Sequence, residues 1–500
     1  MSLAFHHITF THDGASVALF EDVTVHFDAG WTGVVGANGS GKTTLLHLAA
    51  GLLEQQQGQV RRAEHTMLCP QRTDNAPDLF SDFITAVDAE ACTLRGKLHV
   101  GDDWIERWPT LSHGERKRAQ IGVALWQEPD VLLLDEPTNH IDSAARMLLI
   151  NALQEFRGVG LVVSHDRELL DLLCRQCLFL VPPRAVLRPG GYSQATADGE
   201  RDASSRRNRR QQLQQELQRI KDEAKRRHAK AAKADRQKSK RGLARGDSDA
   251  RAKLDLVRVS GKDGQAGRVA KQLDGRIAQL EDEIAAVHVD PQQKTQFWLE
   301  GSVSPRRILF SLPEKMIPLD DTRTLRIPAI TMQRDDRIAV TGANGLGKST
   351  FIRHMLQDLD LEADRLVYLP QEIDLAETRR IMNDVRRLPR DERGKVFTVV
   401  SALGSNPKRL LQNDDASPGE LRKVLLALGV IRRPYLIVMD EPTNHLDLQA
   451  IEHLESALSD CPCGLILVSH DHRFLSNVAS IRWDLIQRDT QIEMRMESGF

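Results

Sequence analysis

Two short stretches of this chain of 500 residues combine glycines, a lysine and hydroxyls in an order that binds phosphate. "GANGSGKTT" spans Gly36–Thr44 and "GANGLGKST" spans Gly342–Thr350. Both fit G-x-x-x-x-G-K-[ST], where glycines let backbone N–H groups curl around phosphate oxygens and the next helix points its positive end at them. The expected phosphate-binding residues are Gly36, Asn38, Gly39, Gly41, Lys42, Thr43 and Thr44, and in the second copy Gly342, Asn344, Gly345, Gly347, Lys348, Ser349 and Thr350. Lys42 and Lys348 should reach the β- and γ-phosphates, and the hydroxyls of Thr43 and Ser349 should ligate Mg²⁺. Asp135 and Asp440 end apolar runs, where a carboxylate holds the same ion. Glu136 and Glu441 follow directly, placed to orient an attacking water and accept its proton. His165 and His470 each follow an apolar run and a serine, within reach of a γ-phosphate. Gln71 and Gln371 sit in matching Pro-Gln settings that suit a contact to Mg²⁺ or water.

A second anion-seeking feature accompanies each loop. "SHGE" from Ser112 and "SPGE" from Ser417 read as capping boxes, with serine as N-cap and glutamate at N3. Pro418 suits the first helical position, whose N–H has no partner in any case. Each is a helix N-terminus that can offer a serine hydroxyl and the N–H of Gly114 or Gly419 to an anion. Since each half already holds a phosphate loop, such a helix end makes sense if it serves the nucleotide of the other half.

The elements that must carry these residues occur twice in the same order. The Gly-rich loops are 306 residues apart, while "LLLDEPTNHID" and "IVMDEPTNHLD", the two Ser-His pairs and the two capping boxes are each 305 apart. Ordered features repeated in this way mark a duplicated domain. Short apolar runs without alternation precede the functional residues: Val34–Val35 and Ile338–Val340, Val131–Leu134 and Leu436–Met439, Leu161–Val163 and Leu465–Val468. Such runs read as buried parallel strands of an α/β sheet. The expected layout is a first ATPase domain over 1–192, a basic helical linker over 193–300, a second ATPase domain over 301–490 and a tail over 491–500.

The formal net charge of −2 conceals an imbalance. Residues 201–290 hold 24 Lys+Arg against 14 Asp+Glu, so the rest of the chain is acidic. A basic island on an acidic body points to a polyanionic partner. No run of 18 apolar residues occurs, so no integral membrane segment is expected. "MSLAFHHITF" has neither a basic n-region nor an apolar h-region, so no signal peptide is read and a cytoplasmic location is expected. The pairs Cys174/Cys177 and Cys461/Cys463 lie in different halves beside apolar segments, which suits packed cysteines better than a structural metal site.

These halves resemble ATP-binding cassette (ABC) domains over nearly their whole length. The resemblance implies head-to-tail packing of the two cassettes within one chain, sandwiching two ATPs. One site would combine Lys42, Thr43, Gln71, Asp135, Glu136 and His165 with Ser417 and Gly419. The other would combine Lys348, Ser349, Gln371, Asp440, Glu441 and His470 with Ser112 and Gly114. His113 and Pro418 replace the first glycine of the family's signature, which puts equal turnover at the two sites in question. The resemblance also asks for an aromatic ring against adenine. Phe10 is the candidate in the first half, and no aromatic occurs between Phe310 and Gly342 in the second.

Three kinds of twin-cassette protein compete: a fused ATPase subunit of a solute importer, a soluble ABC-F protein acting on the ribosome, and a DNA-maintenance ATPase. The last fits badly, with no zinc module and no very long coiled-coil insertion inside a cassette. "PTNHID" and "PTNHLD" resemble ABC-F sequences, as does a charged helical linker. Leu213, Leu217, Ile220 and Ala224 form one apolar stripe, and Val269, Leu273, Ile277, Leu280, Ile284 and Val287 another. Two such stripes suit an antiparallel hairpin. A helix is expected over Ser204–Arg241, with a glycine-bearing tip from Gly242 to Gly267. Lys225, Arg226, Arg227, Lys230, Lys233, Arg236, Lys238, Lys240, Arg241 and Arg245 are its candidate RNA contacts, gripping phosphate rather than bases. The ABC-F resemblance implies ATP-driven closure, a hairpin offered to ribosomal RNA and tRNA near the exit site, and release on hydrolysis. Translation factor and antibiotic ribosome protection are both open at this point.

Overall fold

In a computed structural model, all residues are described except 1, 140, 239–261, 288–301, 372, 374, 406–417, 445, 490 and 500. The chain divides into two compact units, Met1–Ala195 with Gln293–Phe500, and Thr196–Gln292. The first unit holds both duplicated halves.

The first half has a central six-stranded sheet. Its strand order is Thr66–Cys69, Val131–Asp135, Val159–Val163, Gly30–Gly36, Cys174–Val181 and Arg184–Pro189, parallel except for the last strand. Val131–Asp135 and Val159–Val163 are buried at every position, as apolar strands covered on both faces must be. Three antiparallel strands, Phe20–Phe27, Leu3–Phe10 and Gln57–Arg61, form a second sheet. Adjacency of the middle strands of the large sheet brings three corners together. The Gly-rich loop, the Asp-Glu pair and the Ser-His pair all leave carboxyl ends of neighbouring strands, where open α/β sheets bind ligands.

The second half repeats this core within an eight-stranded sheet. Arg337–Gly342 lies between Gly464–Val468 and Ile481–Arg488, and Leu436–Asp440 lies between Gly464–Val468 and Leu366–Leu369. Here the expected tail is corrected. Gln491–Ser498 is a strand, antiparallel to Ile481–Arg488 and parallel to Thr324–Ile327. Its Ile492 and Met494 alternate into the core, a period-2 signal that the charged residues around them obscure.

Among its described residues the second unit contains two antiparallel helices. The first, Tyr192–Lys238, starts within the last residues of the first unit and runs 47 residues. It begins before Ser204 because no proline interrupts the stretch between. The second, Lys262–Ala286, takes in Gly264 and Gly267, which narrows the expected tip. A helix tolerates such glycines at roughly 1 kcal/mol each. Residues 242–261 of that tip lie outside the described residues. Leu213, Ala224 and Leu280 are buried. Lys221–Glu281 at 2.6 Å, Arg276–Glu216 at 3.2 Å and His228–Asp274 at 3.4 Å link the two helices.

Ile492 tests the reassigned strand. Ile492→Ala should lower the unfolding free energy by about 3 kcal/mol, measured by denaturant titration. In a dispensable tail the same change would stay within about 0.5 kcal/mol.

Candidate functional site

Each Gly-rich loop turns between its strand and the helix Lys42–Ala50 or Lys348–Gln357. Gly41 and Gly347 precede those helices with φ of 92° and 88°, a left-handed backbone that suits glycine. A side chain would also crowd a neighbouring leucine. A Cβ on Gly41 would lie 2.7 Å from Leu19 Cδ2, and one on Gly347 2.6 Å from Leu319 Cδ2. The lysines fold back over the loops. Lys42 Nζ donates to the Gly36 and Ala37 carbonyls at 2.9 and 3.1 Å, and Lys348 Nζ to those of Gly342 and Ala343 at 2.8 and 3.1 Å. Burial holds both ammonium groups below their ordinary pKa, opposed by nearby carboxylates.

Thr43 Oγ1 donates to Asp135 Oδ2 at 2.8 Å. Asp440 is 1% exposed, and neither of its carboxylate oxygens has a well-formed hydrogen bond. Burial raises its pKa, and the neighbouring Ser349 hydroxyl opposes the rise. A hydroxyl beside a buried carboxylate with spare acceptor capacity fits Mg²⁺, and the loop amides fit phosphate oxygens.

Glu136 and Glu441 leave their strands in a left-handed conformation, with φ of 47° and 51°. Non-glycine residues adopt it at some cost, often at functional positions. Each N–H is anchored on the neighbouring strand, Glu136 N donating to Val163 O at 2.9 Å and Glu441 N to Val468 O at 2.8 Å. His165 Nε2 lies 3.2 Å from Glu136 Oε1, and His470 Nε2 lies 3.4 Å from Glu441 Oε1. Burial pushes both glutamates up to about 8, with Lys42 and Lys348 pulling the other way. His470 also lies 2.9 Å from Asn344 Oδ1 and 3.2 Å from Lys348 Nζ. Burial, then that lysine, depresses it to about 3.

Gln71 and Gln371 stand on the cavity walls. Their backbone is held by buried cations that sequence reasoning missed. Lys117 donates to Pro70 O at 2.7 Å and Gln71 O at 3.1 Å. Arg422, 305 residues further on, donates to the carbonyls of Pro370 and Gln371, and to Glu441 O at 2.8 Å. The available signal is a basic residue at the same place in both signature helices.

The halves meet reciprocally at Asp142 and Asp447. Asp447 Oδ2 accepts from Asn38 N at 2.9 Å, and Asp142 Oδ2 accepts from Asn344 N at 3.3 Å. Both are visible in the sequence as the last residue of the repeated "PTNHID" and "PTNHLD". One cavity, of about 510 Å³, contains Lys42, Thr43, Thr44, Gln71, Asp135, Glu136 and His165, joined by Gly419 from the other half. The second, of about 450 Å³, contains Lys348, Ser349, Thr350, Gln371, Asp440, Glu441 and His470. It receives Asn139, Ile141 and Arg146 from the first half.

The signature serines are placed less evenly. Ser417 lies outside the described residues. Ser112 completes its capping box with Glu115, accepting from Glu115 N at 3.3 Å while Ser112 N donates to Glu115 Oε2 at 2.8 Å. Neither Ser112 nor Gly114 lines the second cavity, although Gly114 is next to Ile141, which does.

Phe10 is corrected as an adenine contact. It is buried in the core between the first half's sheets, and its ring meets His12 edge-on at 5.0 Å. His12, Leu19 and Thr44 line the cavity instead. Leu319 and Arg323 occupy the matching wall of the other. Of the candidate RNA contacts, Lys225, Arg226 and Arg227 are exposed on the long helix. The side chains of Lys230, Lys233, Arg236 and Lys238, and all of Lys240, Arg241 and Arg245, lie outside the described ones.

A family described as ABC transporter matches residues 20–139 and 325–444, once in each half. With two such cassettes, the chain is an ATP-binding-cassette ATPase. The relatives that match it along most of its length are ABC-F proteins. The chain is 27% identical over 457 residues to the ribosome protection protein VmlR of Bacillus subtilis, covering 90% of this chain and 80% of that protein. It is 29% identical over 480 residues to the ATP-binding protein Uup of Caulobacter vibrioides, covering 89% and 71%. The erythromycin resistance ATP-binding protein MsrA of Staphylococcus epidermidis is 25% identical over 467 residues, covering 90% and 91%. The fold is shared with the archaeal ribosome recycling factor aABCE1, at a TM-score of 0.62 and 15% identity, covering 98% of this chain and 89% of that one. No helix among the described residues is long and apolar enough to cross a membrane.

The raised glutamates carry a linkage consequence. Their folded pKa exceeds the unfolded value, so their stabilising contribution is present at low pH and is lost as pH rises towards 8. Glu136→Gln or Glu441→Gln should therefore stabilise the nucleotide-free protein at pH 8 by roughly 2–4 kcal/mol relative to the parent. The difference should vanish near pH 4, as read by thermal melting across pH.

Proposed function

We propose that this ATPase is a ribosome-acting factor whose two cassettes close on ATP and whose basic helical hairpin contacts ribosomal RNA. The observation that carries this reading is the reciprocal pairing of each P-loop with the other cassette's aspartate, Asn38 with Asp447 and Asn344 with Asp142. Such an arrangement lets nucleotide at one loop favour a joined state of both cassettes. The names of the relatives VmlR and MsrA support a role in ribosome protection or antibiotic resistance, and the exposed basic run supports a phosphate-rich partner.

In this reading Lys42 and Lys348 bind the β- and γ-phosphates, with the loop amides as cradle. Thr43 with Asp135 and Ser349 with Asp440 would hold Mg²⁺, assisted by Gln71 and Gln371. The ion, when bound, neutralises charge on the phosphate oxygens. Glu136 and Glu441 orient water and take up its proton, and His165 and His470 face the γ-phosphate. Ser112 with Gly114, and Ser417 with Gly419, complete the opposite sites on closure. His12 and Leu19, and in the second site Leu319 and Arg323, take the place against the base that Phe10 cannot fill. Hydrolysis then reopens the pair and releases the ribosome. A cytoplasmic location accords with such a partner.

Replacing both carboxylates, Glu136→Gln with Glu441→Gln, should trap a chain that sediments with ribosomes only when ATP is present. Absence of ATP-dependent sedimentation would refute the ribosome reading, and co-purification with an integral-membrane permease would favour an importer subunit. Lys225→Ala, Arg226→Ala and Arg227→Ala together should weaken that binding and flatten its salt dependence by up to about three charges. Basal ATPase should be unchanged, and an unaltered salt slope would make these residues a solvated helix face with no RNA contact.

A further inference from the structure

The 305-residue correspondence between the cassettes breaks down around one buried arginine on their interface. Arg167 follows His165 and Asp166, and its side chain is 3% exposed. It crosses to the second cassette, where Nη1 lies 2.9 Å from Glu455 Oε2 and Nη2 lies 3.3 Å from Asp471 Oδ2. Asp471 is the residue after His470, and its Oδ1 accepts from Phe474 N at 2.9 Å to cap the helix His472–Val478. Arg146 braces the same corner. Its Nη2 lies 2.5 Å from Glu168 Oε2, and its Nη1 lies 3.5 Å from both Asp166 Oδ2 and the His470 carbonyl oxygen.

The contact is not repeated in kind from the other side, where Arg473 reaches Ser193 Oγ at 2.7 Å and Asp171 Oδ2 at 3.6 Å. The counterparts of Arg146 and Arg167 are Ile451 and His472, and the counterpart of Glu455 is Ile150. A buried guanidinium held between two carboxylates is fixed in direction as well as position. The loop it fixes carries His470, which touches Asn344 and Lys348 of the second phosphate loop.

We propose that Arg167 is a positioning residue that sets the His470 loop from across the interface, so that the two sites respond unequally to its loss. This rests on ATP hydrolysis at both sites. It is independent of the signature differences at His113 and Pro418, which an Arg167 variant leaves untouched.

The test uses the full chain preloaded with ATP and started with Mg²⁺, following ATP cleaved per chain in a single turnover. Arg167→Ala should slow one of the two cleavage phases about tenfold and leave the other within about twofold. In a Glu136→Gln background the remaining phase should show the full loss, and in a Glu441→Gln background almost none. Equal slowing of both phases, or of neither, would overturn the proposal. A parent chain that cleaves no ATP would instead refute the hydrolysis on which it rests. Thermal melting checks folding. If Arg167→Ala does not stay folded, Arg167→Lys carries the same comparison, since it keeps the charge but lacks the guanidinium fork. It should show a smaller loss confined to the same phase, and an equal loss at both sites would again overturn the assignment.

Discussion

Two carboxylates join the two cassettes, and each works in both directions at once. Asp142 Oδ1 caps the helix Ser143–Gln154 through Ala145 N at 2.9 Å, and Asp447 Oδ1 caps Leu448–Ser459 through Ala450 N at 2.9 Å. The second oxygen of each reaches the opposite P-loop. A helix cap normally serves only its own helix. Here it also fixes where the other cassette's phosphate loop sits, so neither cavity has an independent geometry. The same aspartates favour the charged form of the lysine across the interface, opposing the burial that disfavours it.

Around this joint, each cassette concentrates charge at the ends of apolar strands. Burial makes that costly unless partners are supplied. The lysines are satisfied by carbonyls of their own loops, and Asp135 by Thr43. The glutamates are buried deeply, and that burial is why their protons are held so tightly. Their left-handed backbone turns the chain out of the sheet at that point, and the anchored N–H groups keep it there.

Much of this was legible in the sequence because the chemistry imposes residue types at fixed spacings. The Gly-rich loops, the Asp-Glu pairs and the Ser-His pairs each appear twice, and short apolar runs announce the strands that carry them. The strand Gln491–Ser498 was hidden because only Ile492 and Met494 mark its buried face. Phe10 misled because it is an aromatic ahead of the loop whose side chain belongs to the core, leaving His12 at the cavity. Lys117 and Arg422 left a faint repeated signal. Arg167 with Glu455 left none, since residues so far apart in sequence meet only through the packing of two folded cassettes.

The one-sided contacts of Arg146 and Arg167 also bear on why two cassettes share a chain. In a symmetric dimer of identical subunits, any interface residue must be compatible with its own image across the twofold axis. Duplication within one polypeptide removes that condition. An arginine can appear in one copy and isoleucine in the other without either having to fit a second version of itself. Leu448, which joins the buried cluster of the opposite cassette while its counterpart is Ser143, has diverged under the same freedom. Covalent linkage thus allows the interface to specialise as a heterodimer while every copy of the protein is made with both halves in equal amount.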